Sequence, residues 1–166
     1  PPKEIALVLN RLLAALTEDI HAFGGTLGTV SVPSMMAVFG APWDQEQHAL
    51  AAVQCAWRLQ ETVARLNREG RLGRHTIALR IAVHTGSVLA GDVGSSRRMD
   101  YTVLGSTVTV VSRLLAQVSG PGKIILGPET YPAVRDHVVC DRLGLQLLQG
   151  IHEPVWAYVL TSLQEV

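Results

Sequence analysis

Apolar residues recur at three- and four-residue steps at the start of the chain. Positions 5, 8, 9, 12, 13, 16 and 20 follow this spacing, which predicts an amphipathic helix that ends at Gly24-Gly25. Two short runs rich in strand formers, residues 27–32 and 35–39, then flank Pro33-Ser34. This arrangement predicts a β-hairpin.

The pattern then alternates between helices and strands. Pro42 and Asp44 predict the start of a second helix, which ends near Gly70. Strands are predicted at residues 77–83, 88–93, 99–104, 123–126, 138–139, 143–148 and 155–160, and further helices at 107–115, with Ser106 as N-cap, and at 128–134. The order predicts one domain over residues 1–166, an α+β fold with helices packed on a mainly antiparallel sheet.

Composition narrows the function classes. Fourteen basic residues balance fourteen acidic ones, so we expect no nucleic-acid binding. No apolar run reaches the ~20 residues of a membrane span, and we expect no membrane contact by this segment. Cys55 and Cys140 have no CxxC spacing, which favours two reduced, buried thiols in a cytoplasmic protein. No secretory signal is visible at Pro1-Pro2-Lys3-Glu4, and we expect a missing segment upstream.

Several motifs occur in order along the chain. They are Gly24-Gly25, MAVFGAP at residues 36–42, HTGSVLAGDVG at 84–94, RMDYTVLG at 98–105, SRL at 112–114, Gly150 and Pro154-Val155. Together they resemble the catalytic domain of class III adenylyl and guanylyl cyclases, from Lys3 to about Tyr158. Any one of these motifs alone would be a weak signal.

The resemblance implies a ferredoxin-like βαββαβ core and a head-to-tail dimer with active sites at the interface. We therefore expect a homodimer, or a heterodimer with another cyclase-type domain. The first strand of such a domain lies inside the sheet and carries one metal-binding Asp. That strand is expected to be absent from residues 1–166.

The metal-binding positions of the family depart from its pattern here. Active members bind two divalent ions, Mg²⁺ or Mn²⁺, through two carboxylates, and the second carboxylate aligns with Pro33 in the pair Val32-Pro33. Proline has no ligand atom in its side chain, and the neighbouring Ser31 and Ser34 are neutral hydroxyls. We expect no metal site and no cofactor.

The residues at the substrate-binding positions also differ from the family pattern. In adenylyl members a Lys and an Asp read the base, and the resemblance places Thr29 and Ser106 at these two positions. Thr109 stands where the family has a ribose-orienting Asn, whereas Arg113, four residues later, retains the phosphate-binding Arg. Ser106 could equally be a plain helix cap, and Arg113 an interface residue. The phosphate-binding Lys of the family would fall near His152, and no Lys is present there.

The other candidates favour structural roles. Arg97-Arg98 with Asp100 could form a phosphate clamp, but the family equivalents shape a turn. His84, in the His-Thr-Gly segment, is expected to be a satisfied core or turn histidine. On the helix at 107–115 we expect Val108, Val111 and Leu115 to face the core, and Val110 and Leu114 to lie beside the catalytic cleft.

Three functional hypotheses follow. The first is a catalytically degenerate cyclase domain that serves dimerisation or signal regulation in a larger signalling protein. The second is a weakly active cyclase, or one completed by a competent partner, that makes cyclic nucleotide from ATP or GTP. The third is a domain that senses a weakly bound nucleotide without turnover.

Overall fold

The computed structural model describes residues 2–31, 34–95 and 98–164. The helices are α1 (Pro2–Ala22), α2 (His48–Arg68), α3 (Ser106–Gln117) and α4 (Thr130–Val134), and a 3-10 turn follows at Arg135–His137. The strands are β1 (Thr26–Ser31), β2 (Ser34–Val38), β3 (Ile81–Val83), β4 (Leu89–Ser95), β5 (Arg98–Leu104), β6 (Ile124–Leu126), β7 (Val138–Gln146) and β8 (Val155–Leu163).

The described strands form three sheets. A four-stranded sheet has the order β3-β6-β8-β7, and β1-β2 and β4-β5 are two-stranded. The pairing of β3 with β6 is parallel, and the other pairings in the described part of the chain are antiparallel. The predicted α+β fold with a mainly antiparallel sheet is confirmed.

The amphipathic stripe of α1 forms its contact with α2. Val8, Leu12, Leu16 and Ile20 are its buried residues, at the three- and four-residue steps of the sequence pattern. The first three of them pack in one cluster with residues of α2, including Val63. Gly24, with φ of +81°, follows the helix because this conformation is open to glycine at little cost.

The four-stranded sheet lies between α2 and α3. Ile124 and Leu126 of β6 pack in a cluster with Val53 of α2, whereas Ile125, between them, packs with Leu114 of α3. Side chains of a strand alternate between faces, so a strand covered on both faces needs a continuous apolar run. This explains why all of β6 is buried.

Some predicted boundaries were wrong for local reasons. The second helix begins at His48 and not at Pro42. Of the strand predicted at 77–83 only Ile81–Val83 is a strand, and the Asn67 side chain occupies both backbone groups of Ile77 through hydrogen bonds of 2.8 and 3.0 Å.

The end of the chain contains two strands where the sequence predicted three. β7 is one strand of nine residues, with register shifts between Val139 and Cys140 and between Arg142 and Gly144. Such irregularities interrupt the alternation of side chains, which made one strand look like two. The structure has no helix, within its described residues, that is long and apolar enough to cross a membrane.

Candidate active site

A cavity of about 280 Å³ lies between the β1-β2 hairpin and the four-stranded sheet. Most of its lining is apolar and comes from β2, β3, α2 and α3, with Leu16 and Ile20 of α1 at one side. The polar side chains in the lining are those of His48, Arg80, His84, Thr85, Thr107 and Ser112, with the thiol of Cys55. The described lining therefore contains hydroxyls, imidazoles and a guanidinium but no carboxylate.

The metal requirement of the cyclase reaction can be tested against this donor set. Mg²⁺ is bound by carboxylate and phosphate oxygens, whereas neutral hydroxyls are weak ligands for it. Among the described residues no group of three or more His, Cys, Asp or Glu side chains is placed to hold a metal ion. Pro33, the position aligned with the family carboxylate, lies outside the described residues. The described donors do not fit a pair of hard divalent ions.

Helix α3 carries three of the predicted site residues. The prediction that Ser106 is the N-cap was wrong, because Gly105 is the cap and Ser106 is the first residue of the helix. Gly105 has φ of +134°, which a residue with a side chain rarely adopts, and no side chain caps the helix. Ser106 is exposed, and no contact within the described part of the chain assigns it a base-reading role.

Thr109 and Arg113 lie one turn apart on α3. Thr109 is exposed, and its hydroxyl donates a long hydrogen bond of 3.5 Å to the Gly105 carbonyl of its own helix. Arg113 is half-buried. The four-residue spacing puts the two side chains on the same side of the helix. The fifth predicted position, Thr29, lies in β1, and its side chain is outside the described part.

The two apolar faces of α3 are oriented opposite to the prediction. Leu114 is fully buried in a cluster with Ile125, and Val110 packs against that cluster. Val108, Val111 and Leu115 line the cavity instead. The sequence shows two apolar faces on this helix but not which of them meets the sheet.

The His-Thr-Gly segment, residues 84–86, follows β3 and packs against residues that are distant in the sequence. The imidazole of His84 packs directly on Gly127, where an added Cβ would collide with Nδ1. Thr85 shares a hydrogen bond of 2.8 Å with the hydroxyl of Thr130, the first residue of α4. A Cβ at Gly86 would collide with Thr107 in the same way. The three motif residues therefore have packing roles.

The packing around His84 also affects its pKa. Its Nδ1 is buried and has no hydrogen-bond partner among the described residues, so the expected satisfied histidine is not observed. Burial lowers its pKa below the ordinary value of 6.5, and the nearby carboxylate of Glu129 partly opposes this. No local pattern pointed to Gly127 or Thr130, because neither belongs to a motif and both meet His84-Thr85 only in the folded chain.

The two cysteines are free, as predicted, but only Cys55 is buried and Cys140 is half-buried. Burial raises the pKa of Cys55 to about 12, with a further contribution from Asp19. Burial likewise raises the pKa of Cys140 to about 11. Thiolate is the reactive form, so neither side chain suits nucleophilic chemistry near neutral pH. His152 is exposed in a loop, as expected.

Residues 3–162 match the model of the adenylate and guanylate cyclase catalytic domain. The chain belongs to this family. It is 32% identical over 151 residues to adenylate cyclase 1 of Rhizobium meliloti, covering 90% of this chain and 23% of that protein. The curated relatives of this domain are much longer proteins, of which the chain spans between 23% and 31%.

Solved structures agree with this assignment. The adenylyl cyclase CyaB from P. aeruginosa superimposes with a TM-score of 0.86 at 29% identity, covering 93% of this chain and 81% of that one. A dimeric guanylyl cyclase domain from Blastocladiella emersonii superimposes with a TM-score of 0.84 at 21% identity, covering 99% and 86%. The second likeness concerns the fold alone.

Proposed function

We propose that this cyclase-family domain is catalytically degenerate and serves dimerisation or signal regulation in a larger protein. The observation that carries the proposal is the pair Pro33 and Thr109, which replace a metal-binding carboxylate and a ribose-orienting amide of the family pattern. Neither replacement is conservative, because proline supplies no ligand atom and the threonine hydroxyl is shorter than the asparagine amide.

The surroundings of α3 support the same proposal. Its cavity side presents Val108 and Val111, and apolar walls do not compensate the loss of hydration of a triphosphate. The hydroxyl of Thr109 bonds to its own helix and does not extend toward the cavity. Arg113 remains as the cation of this helix face. One arginine without metal ions leaves most of the triphosphate charge uncompensated.

The direct test is a turnover assay. Purified protein is incubated with ATP or GTP and Mg²⁺ or Mn²⁺, and cyclic nucleotide is measured by mass spectrometry against a heat-killed sample and a competent cyclase. We expect no product above the heat-killed sample. Metal-dependent product from the unmodified chain, at a rate that rises with protein concentration, would refute degeneracy.

A dimerisation role is supported by an exposed apolar pair at the end of the β4-β5 hairpin. Leu89 and Leu104 are cross-strand partners and are 73% and 55% exposed. Paired large apolar side chains on a surface are typical of interaction sites. Leu104 is the last residue of β5 and shortly precedes α3, the helix that carries Arg113.

Sedimentation velocity tests this surface. We expect a dimer for the unmodified chain and a monomer for Leu89→Asp combined with Leu104→Asp. The matched control is Leu147→Asp, because Leu147 is 84% exposed but lies far along the chain, after β7. If the unmodified protein is a monomer, or if the double variant remains a dimer, the proposal that this surface mediates dimerisation is contradicted.

Retention of Arg113 favours a second candidate, an active heterodimer completed by a competent cyclase chain. In that dimer Arg113 would bind phosphate in a site whose metal ligands come from the partner. Mixing the two chains should then raise cyclic-nucleotide production, and Arg113→Ala should abolish the gain while Arg135→Ala, an exposed arginine elsewhere, should not. An unchanged rate on mixing would exclude this candidate.

A further inference from the structure

Exposed cations are concentrated at one end of the helix pair α1 and α2. The first half of α1 lies against the end of α2 and the loop that follows it, because Val8, Leu66 and Leu72 share one buried cluster. In the same region Arg11 Nη1 donates a hydrogen bond of 3.1 Å to the Arg71 carbonyl. The basic patch consists of six exposed residues of this region, Lys3, Arg11, Arg65, Arg68, Arg71 and Arg74.

Ion pairs neutralise little of the basic patch. Glu69 is shared between two of its members, Arg65 and Arg71, at N–O distances of 3.8 and 3.7 Å. Exposed ion pairs of this length contribute little energy. Arg68 and Arg74 form no ion pair with any residue that the structure describes. Their guanidinium groups are therefore available to an anionic partner.

Charge is distributed unevenly over the molecule. Two carboxylates belong to the region of the basic patch, that of Glu69 and that of Glu4, whose Oε1 lies 3.3 Å from the place of a Cβ at Gly73. With them the region has a net charge of +4, and the rest of the chain carries eight basic and twelve acidic residues. Such an asymmetry turns this end of the domain toward an anionic surface and the remainder away from it.

The end of α2 explains only part of this accumulation. Arg65 and Arg68 lie in the last turn of the helix, where cations complement the partial negative charge of its carbonyl groups. Arg71 and Arg74 come after the helix, and Arg11 belongs to α1. The helix end does not account for these three cations.

An exposed leucine lies among the cations. Lys3, Leu7 and Arg11 follow one another at four-residue steps, so they share one face of α1. Leu7 is 63% exposed and Ile5, close by, is 47% exposed. Apolar side chains next to basic ones on an exposed helix face are typical of helices that lie at a membrane surface.

From these observations we propose that the basic patch and Leu7 bind the surface of an anionic membrane. The cations contact the phosphate and carboxylate groups of the lipid headgroups, and Leu7 enters the boundary between headgroups and acyl chains. Our expectation of no membrane contact was based on the length of apolar runs, which bears on a spanning segment and not on a surface contact. The inference does not depend on whether the domain is catalytic.

A membrane surface accounts for both features of this region. A cluster of four to eight basic residues is typical of binding to anionic lipids, and each cation near the surface increases the affinity by about fivefold. An apolar anchor combined with a basic patch binds more firmly than either alone. An acidic polypeptide or a nucleic-acid backbone would use the cations but not Leu7.

Vesicle co-sedimentation tests the proposal on the unmodified chain. The probes are vesicles of phosphatidylcholine alone and vesicles that also contain about 30% phosphatidylserine. We expect the chain to bind the second kind at least about tenfold more tightly, and to lose about tenfold in affinity when the salt concentration rises from about 0.1 to about 0.5 M. Equal binding to the two kinds of vesicle, or no binding to either, would overturn the proposal.

Charge reversal locates the contact on the molecule. Arg68→Glu combined with Arg74→Glu should lower the affinity for phosphatidylserine vesicles by about thirtyfold or more. The matched control is Lys123→Glu combined with Arg135→Glu, which changes the total charge equally at two exposed positions elsewhere and should keep the affinity within about threefold. Circular dichroism verifies the fold, and if the first variant does not fold, the salt dependence of the unmodified chain decides. Equal losses in the two folded variants would contradict the basic patch.

Leu7 distinguishes a membrane from an acidic polypeptide. Leu7→Ser should lower the affinity for the anionic vesicles by about tenfold, because an apolar side chain is no longer buried at the surface. Leu147→Ser, at a position that is 84% exposed, should change nothing. Soluble polyglutamate at the same carboxylate concentration should not displace the chain from the vesicles. Complete displacement, or unchanged binding by Leu7→Ser, would overturn membrane binding in favour of an acidic polypeptide.

Discussion

His84 and Gly127 pack so closely that the imidazole occupies the place where any Cβ at position 127 would lie. Besides the Nδ1 collision, the added Cβ would stand 3.1 Å from Cγ and 3.2 Å from Cε1 of the same ring. Ring atoms cannot give way as the end of a flexible chain does. The end of β3 and the segment after β6 are therefore fitted to each other through these two residues.

Gly127→Ala should destabilise the domain by about 1–3 kcal/mol, because the added methyl forces the imidazole or the backbone to shift. Urea unfolding measures the change. Gly91→Ala is the control, since no atom lies within 4 Å of a Cβ at that position. In a chain that already carries His84→Ala, Gly127→Ala should cost less unfolding free energy than it does in the unmodified chain. Strictly additive effects of the two changes would contradict the contact.

The lowered pKa of His84 predicts a loss of stability in acid. The folded protein binds this proton less readily than the unfolded chain, so protonation favours unfolding. The contribution of His84 is complete above its ordinary value of 6.5 and declines as the pH falls below it. His84→Gln should flatten the pH dependence of the unfolding free energy in that region. His152→Gln, at an exposed position, should retain the slope of the unmodified protein.

Thr62 and Asp19 connect α2 to α1 by a hydrogen bond of 2.5 Å from the hydroxyl to Oδ2. Thr62 is buried, and Thr62→Val keeps its shape while it removes the donor. We expect a loss of about 1–3 kcal/mol, because the carboxylate loses a partner in a half-buried site. Thr76→Val, at an exposed position, should change the unfolding free energy by less than about 0.5 kcal/mol. Equal costs for the two changes would contradict the importance of this bond.

The two faces of α3 predict different mutational costs. Leu114→Ala should destabilise by about 2–5 kcal/mol, since Leu114 is fully buried against the sheet. Val111→Ala removes two methyl groups from a side chain that lines the cavity. The change should lower the unfolding free energy by about 1 kcal/mol or less. Thermal unfolding of the two variants compares them. A larger destabilisation by Val111→Ala than by Leu114→Ala would support the helix orientation predicted from the sequence.

Cys55 should react with iodoacetamide only after unfolding. Its exposed fraction is 1%, and its pKa is raised to about 12, so thiolate is scarce at pH 8. Mass spectrometry after limited labelling measures the modified fraction, with a denatured sample as the reference. Rapid labelling of Cys55 in the native protein would show that the packing of α1 on α2 opens easily.

The sequence predicted most elements because their patterns are local. The stripe on α1, the hairpin of β1 and β2 and the glycines that end helices each reflect the conformation of neighbouring residues. The identities of Pro33, Thr109 and Arg113 and the family motifs are likewise properties of the linear chain. Local signals were misleading where a distant group intervened, as with Asn67 and the backbone of Ile77.

The amino-acid sequence by itself determined the family, the element order as far as α4 and the residue types available for chemistry, because these depend on composition and short-range spacing. Only the tertiary structure decided that Leu114 faces the sheet and Val111 the cavity, and that His84 rests on Gly127. It also brought residues of β2 and β3 together around one cavity. Packing between segments far apart in the chain determines these relationships, and no local pattern encodes them.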